Sequence, residues 1–246
     1  DGMIIEELEK TIKNNPKTKF IYTIPDFQNP TGITMSLDRR KKMVEIAEKY
    51  SIPILEDNPY TDLGFEAERL PSIKSFDTKG MVIYLGSFSK ICAPGVRLGW
   101  ICASEELLSK YVKIKQASDL QPSTITQREL TEYLQMNSVD EHINRLRPFY
   151  QKRRDTMLEM LEKEFPDSVK ITQPRGGYFT WITLPKGIDA MDVFKKAVEE
   201  KVAFVPGGPF FVDDDHKNYM RISYSKVPED KIIEGVKRLG KVLRSI

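Results

Sequence analysis

Met81-Val82-Ile83-Tyr84-Leu85-Gly86-Ser87-Phe88-Ser89-Lys90 opens as a short apolar run rich in β-branched and aromatic residues and closes on two hydroxyls and a lysine. Such a run reads as a strand, and its polar end as the loop that follows. Three neighbours share the pattern: Phe20-Ile21-Tyr22-Thr23-Ile24, stopped by Pro25; Ile52-Pro53-Ile54-Leu55; and Leu98-Gly99-Trp100-Ile101-Cys102. Between the first two lies a helical pattern from Ser36, a plausible N-cap, with Leu37, Val44, Ala47 and Tyr50 at helical spacing. Nearly continuous apolar strands alternating with helices predict an α/β fold with a buried, mainly parallel sheet.

From Ser104 onward the pattern turns helical. An amphipathic stretch over residues 139–165 carries Val139, Ile143, Leu146, Tyr150, Met157 and Leu161 on one face. Pro148 falls inside it, which predicts a kink or two abutting helices. Strands are expected at 169–172, 177–183, 202–205 and 220–224, with helices at 189–201 and 229–243. This is a small α+β C-terminal domain. The boundary is set in the 140–150 region, giving domains 1–143 and 144–246.

The 246 residues are 40% hydrophobic and 30% charged, enough for a sizeable core that needs neither metal nor disulfides. A net charge of +2 with no long one-signed run argues against a nucleic-acid footprint. The basic runs Arg39-Arg40-Lys41-Lys42 and Lys152-Arg153-Arg154 read as solvated helix faces. Cys92 and Cys102 read as free thiols, which suits a cytoplasmic protein. No apolar run is long enough to span a bilayer, and no signal-peptide pattern opens the chain. His142 and His216, the latter beside Asp213, Asp214 and Asp215, match no metal-ligand spacing, so no metal is expected.

Ligands in open parallel sheets bind beyond the carboxyl ends of the strands. Conspicuous polar groups follow three successive strands there: Asn29-Pro30-Thr31-Gly32; Glu56-Asp57-Asn58-Pro59-Tyr60; and Ser87-Phe88-Ser89-Lys90 with Arg97. Each also has a structural reading. Asn-Pro-Thr-Gly is a good turn, Asp57 could cap a helix, Lys90 could be solvated surface, and Arg97 could be an ion-pair partner. Their joint occurrence at three strand ends is hard to explain by turns alone. A lysine in such a loop can form a Schiff base with an aldehyde cofactor. A carboxylate under a pyridine ring keeps its nitrogen protonated. An Asn amide and a Tyr hydroxyl can donate to a ring phenolate, and two serines with an arginine suit a phosphate dianion. The inventory fits pyridoxal 5'-phosphate.

With Gln28-Asn29-Pro30-Thr31-Gly32, Glu56-Asp57-Asn58-Pro59-Tyr60 and the run from Ser87 to Trp100 taken together, the chain resembles class I/II aminotransferases of fold type I. Within them it is most similar to the kynurenine/2-aminoadipate aminotransferase branch. Pro174-Arg175-Gly176-Gly177-Tyr178-Phe179, Val205-Pro206-Gly207-Gly208-Pro209-Phe210 and Asn218-Tyr219-Met220-Arg221-Ile222-Ser223 match the family's small domain, so the resemblance covers essentially the whole chain. It implies that Lys90 is the Schiff-base lysine and the acid/base of proton transfer. It implies further that Asp57 pairs with the pyridinium nitrogen, and that Asn29 and Tyr60 bond the ring oxygen. Ser87, Ser89 and Arg97 hold the phosphate, and Arg221 clamps the substrate carboxylate. Gly176 and Gly177 let a strand approach the substrate. The implied reaction transfers an amino group between an α-amino acid and a 2-oxo acid, in a homodimer with active sites at the interface.

The family's large domain begins upstream of these motifs, with a glycine-rich turn for the phosphate and an aromatic residue that stacks on the ring. Neither is visible before Asn29, and residues 1–19 read as the helix preceding a middle strand. The chain therefore reads as the later part of a large cofactor-binding domain plus the small domain. Alone it is expected to bind cofactor weakly or not at all, with open sheet edges inviting partners. The competing function is the cofactor-sensing effector domain of a GntR-type transcriptional regulator. Such domains tend to carry consecutive acidic residues where this chain has Asp57-Asn58-Pro59-Tyr60, so the enzyme is preferred. Lyases and racemases share the same cofactor handling.

Overall fold

The computed structural model describes residues 1–65, 69–212 and 215–246. Asp213 and Asp214 of the acidic run beside His216 thus lie outside the described residues. The chain falls into two compact units. The first comprises Asp1–Asp26, Thr34–Gly64 and Glu68–Arg145; the second comprises Phe27–Ile33, Phe65–Ala67 and Leu146–Ile246.

In the first unit, β1 (Ile21–Thr23), β2 (Ile54–Asp57) and β3 (Val82–Ser87) pair in parallel, and β4 (Gly99–Cys102) closes the row antiparallel to β3. The sheet order is that of the chain, β1-β2-β3-β4. Ile21, Ile54 and Val82 point to one face. There they join Ile5 and Ile12 of α1 (Ile5–Asn14) and Met43, Val44, Ile46 and Ala47 of α2 (Leu37–Tyr50) in one core. The opposite face takes the alternate residues, among them Tyr22, Leu55 and Asp57. The helices α3 (Glu105–Ser118) and α4 (Thr124–Met136) complete this unit, and α5 (Val139–Glu164) begins in it.

In the second unit, β5 (Lys170–Ile171), β6 (Phe179–Thr183), β7 (Val205–Pro206) and β8 (Tyr219–Ser223) form an antiparallel sheet in the order β5-β6-β8-β7. Amphipathic α6 (Ala190–Glu199) and α7 (Glu229–Arg244) contribute Val193, Ala197, Val236 and Leu239 to a core that includes Leu161, Ile182, Met220 and Tyr224.

Several departures from the sequence reading have local physical causes. The strand expected at 52–55 starts at Ile54, because Ile52 belongs to the end of α2. Ser51 takes a left-handed conformation, and the Ile52 N–H bonds back to the Ala47 carbonyl. Lys201 and Val202 end α6 in the same way, so the strand expected at 202–205 starts at Val205. An apolar residue just past a left-handed cap packs against its own helix and mimics the start of a strand. Pro148 lies inside one unbroken helix, whereas two abutting helices were an expected alternative. Arg40 and Arg154 are buried, not solvated, since each finds enough oxygen acceptors to replace water. Among the described residues, no helix is long and apolar enough to cross a membrane. None of their His, Cys, Asp and Glu side chains group in threes or more as a metal site would need.

Candidate active site

The parallel strands β2 and β3 end side by side, with Asp57 opposite Leu85 and Ser87 two residues further along β3. Strand alternation sends the Asp57 and Ser87 side chains to the same face as Tyr22. The Tyr22 hydroxyl donates to Oδ2 of Asp57 at 2.6 Å. Burial and this carboxylate hold the Tyr22 phenol well above its ordinary range, with Tyr60 adding in the same direction. Tyr60 itself is buried just beyond Asp57.

Ser87, Ser89, Lys90 and Arg97 share one excursion of the chain between the antiparallel strands β3 and β4. Its base is closed by the Phe88 N–H on the Leu98 carbonyl at 3.1 Å, and its turn by the Cys92 N–H on the Phe88 carbonyl at 2.9 Å. The Ser87 hydroxyl accepts from the Ser89 N–H at 3.1 Å. Arg97 stands in a left-handed conformation at φ 53°, and its Nη1 reaches back to the Pro94 carbonyl at 3.4 Å. Gly86 matters here because Trp100, paired with it across the strands, lays its indole where a Cβ would stand. Trp100 also packs on Phe88 with centroids 4.8 Å apart. Gly86→Ala is therefore expected to push Trp100 aside and lower stability by about 1–3 kcal/mol. Urea unfolding checks this, and an unchanged midpoint would contradict the packing.

Beneath these strand ends, on the core face, lies a buried polar network that sequence reasoning missed. Arg40 bonds Asp26 through both terminal nitrogens and donates to the carbonyls of Met35 and Pro71 at 3.1 and 3.0 Å. Thr61 donates to Asp26 at 2.7 Å and also touches Asn58. Glu56 accepts from the amides of Ile73 and Lys74 at 2.9 and 2.7 Å. Burial still pushes its carboxyl above the usual range, against those two donors. Asp26 follows Pro25 in a loop and Arg40 sits in a basic run, so only their shared burial could have revealed the pair.

Asn29 and Arg221 meet within the second unit. Arg221, on β8, donates from Nη1 to Asn29 Oδ1 at 2.7 Å. Its guanidinium lies 4.4 Å from the Phe179 ring centroid and 5.2 Å from that of Phe210. The turn carrying Asn29 is held by Thr172, whose hydroxyl donates to the Thr31 carbonyl at 2.9 Å. Gly32, at φ 69°, has no room for a side chain against the Phe179 carbonyl. Gly177, at φ 72°, would set a Cβ 2.6 Å from that of Phe27, so its freedom serves packing on this turn. Tyr22 and Phe179 are the additions to the sequence-derived set. Tyr22 was legible only as a residue of a short apolar strand, and the structure leaves it half exposed.

An α/β unit with polar groups at the carboxyl ends of parallel strands, and an antiparallel α+β unit presenting a bonded arginine, define the class. The chain belongs to the aminotransferase class I and II family, whose model matches residues 2–239. It is 46% identical over 242 residues to aromatic-amino-acid aminotransferase 1 of Thermococcus litoralis, covering 98% of this chain and 58% of that protein. It is 39% identical to the 2-aminoadipate transaminase of Thermus thermophilus, covering 100% of this chain and 62% of that one. The crystal structure of Pyrococcus horikoshii kynurenine aminotransferase, solved in complex with PMP, matches with a TM-score of 0.96 at 43% identity, covering 99% of this chain and 61% of that chain. The chain thus spans about three-fifths of the length of these relatives. Helix-turn-helix regulators also match, at 32–34% identity.

Proposed function

We propose that the protein catalyses pyridoxal-phosphate-dependent transfer of an amino group between an α-amino acid and a 2-oxo acid. The observation that carries the reading is the grouping of Asp57, Ser87, Ser89, Lys90 and Arg97 about the ends of two adjacent parallel strands, in a chain of the aminotransferase class I and II family. That donor set fits the cofactor chemically: an anion for a ring nitrogen, an amine for an aldehyde, hydroxyls and a guanidinium for a phosphate. The PMP bound by the Pyrococcus relative supports the same choice.

When bound, pyridoxal phosphate supplies an electron sink for the charge left at the substrate α-carbon. Lys90 would hold the cofactor through its amine and would serve as the base that takes the proton from the substrate α-carbon. Asp57 holds the proton on the ring nitrogen, while Asn29 and Tyr60 donate to the ring oxygen. Ser87, Ser89 and Arg97 grip the phosphate. Arg221 holds the substrate carboxylate with two parallel N–H donors and so sets which bond to the α-carbon is cleaved. In this reading residues 1–143 are the later part of the large cofactor-binding domain and 144–246 the small domain. The working protein is a cytoplasmic homodimer with small-molecule substrates, binding neither nucleic acid nor membrane.

The regulator reading is less well supported, because its relatives match at lower identity than the aminotransferases. Absorbance spectra after addition of pyridoxal phosphate test the assignment. An imine band is expected in the protein as its gene encodes it, and its disappearance in Lys90→Ala. A band that survives the substitution would remove Lys90 from the site.

A further inference from the structure

Asp57 is proposed above to hold the ring nitrogen, and a carboxylate in that role must present one oxygen at a fixed angle. Among the described residues, the Tyr22 hydroxyl is the group that hydrogen-bonds this carboxylate, donating to Oδ2 at 2.6 Å. The contact follows from the sheet. Tyr22 pairs with Leu55 on the neighbouring strand, so Asp57, two residues further along, shares its face and lies within reach of a tyrosine ring. A shift of one residue in that register would send the tyrosine into the core face.

We propose that Tyr22 is a positioning residue for Asp57: its hydroxyl pins Oδ2, fixes the carboxyl plane and leaves Oδ1 directed at the ring nitrogen of the cofactor. The inference rests on the cofactor reading above. Burial and the neighbouring carboxylate push the Tyr22 phenol up from its ordinary range, which favours the protonated donor. A hydrogen bond to a carboxylate is among the stronger kinds, so this one contact can hold the carboxyl plane in place. Tyr22 touches neither substrate nor reacting atoms in this scheme; it acts through Asp57.

The test compares two ligands on the protein as its gene encodes it. One is pyridoxal phosphate. The other is its 1-deaza analogue, in which a C–H replaces the ring nitrogen and offers Asp57 nothing to hold. Dissociation constants are measured by equilibrium dialysis for wild type, Tyr22→Phe, Asp57→Asn and the double variant. Tyr22→Phe should weaken pyridoxal phosphate binding about tenfold. It should leave the analogue within about twofold, and it should cost nothing further in the Asp57→Asn background. Equal losses for both ligands would mark Tyr22 as merely structural and overturn the proposal, as would no loss for either. Wild-type protein that binds the two ligands equally would instead overturn the role of Asp57, and this inference with it.

Discussion

Arg40→Leu is expected to cost the first unit about 3–5 kcal/mol, since it leaves the buried Asp26 carboxylate without its counter-charge. Arg40 is fully buried and Asp26 is 3% exposed, so water cannot replace the lost partner. Thr61 would remain as a neutral donor to Asp26 at 2.7 Å, too little for a full charge. The carbonyls of Met35 and Pro71 would also lose a donor. A domain of this size has about 5–15 kcal/mol in hand, so the loss is a large share of its stability. The double variant Arg40→Leu, Asp26→Leu should recover part of it, because both charges leave the interior together. Urea unfolding followed through Trp100 in a Trp181→Phe background reads the first unit. A shift under about 1 kcal/mol would mean that water reaches the Asp26 carboxylate after all.

The same pair marks where sequence reading stops. Alternating apolar strands and helices were legible because their periods are set by short-range geometry. Residues 81–85 led to β3, and Ser36 to the cap of α2. Polar groups at strand ends were legible for the same reason, since a strand prediction fixes which residues come next. Arg40 was not, because its charge argues for solvent while its helix phase, shared with Met43, Val44 and Ala47, argues for the core. Only tertiary acceptors decide between those two. Tyr22 belongs with it: its partner is 35 positions away, and the pairing depends on parallel register that no local pattern specifies. The strand starts at Ile54 and Val205 were misjudged for another reason. Both follow helices closed by left-handed residues, and the apolar side chain after such a cap belongs to the helix.

Arg221→Gln should lower kcat/KM for the amino-acid substrate by about 10²–10⁴, the equivalent of two hydrogen bonds to a charged group at about 1.5–3 kcal/mol each. The arginine is set up for a two-pronged grip. Its Nη1 is tied to Asn29 at 2.7 Å, and Phe179 and Phe210 lie 4.4 and 5.2 Å from the guanidinium. The fork is therefore oriented before substrate arrives, and little entropy remains to be lost on binding. Arg221→Lys keeps the charge but not the fork, and its loss should be intermediate. The division between kcat and KM carries the mechanism. A clamp that only collects substrate would raise KM and leave kcat alone. A clamp that also aligns the breaking bond at the α-carbon must lower kcat, because a misaligned substrate still binds but reacts slowly. Steady-state kinetics across the three proteins, with urea midpoints to exclude unfolding, separate the cases. A lowered kcat in Arg221→Lys, at saturating substrate and unchanged stability, is the expected result. An unchanged kcat would reduce Arg221 to a docking charge and leave bond selection to some other group.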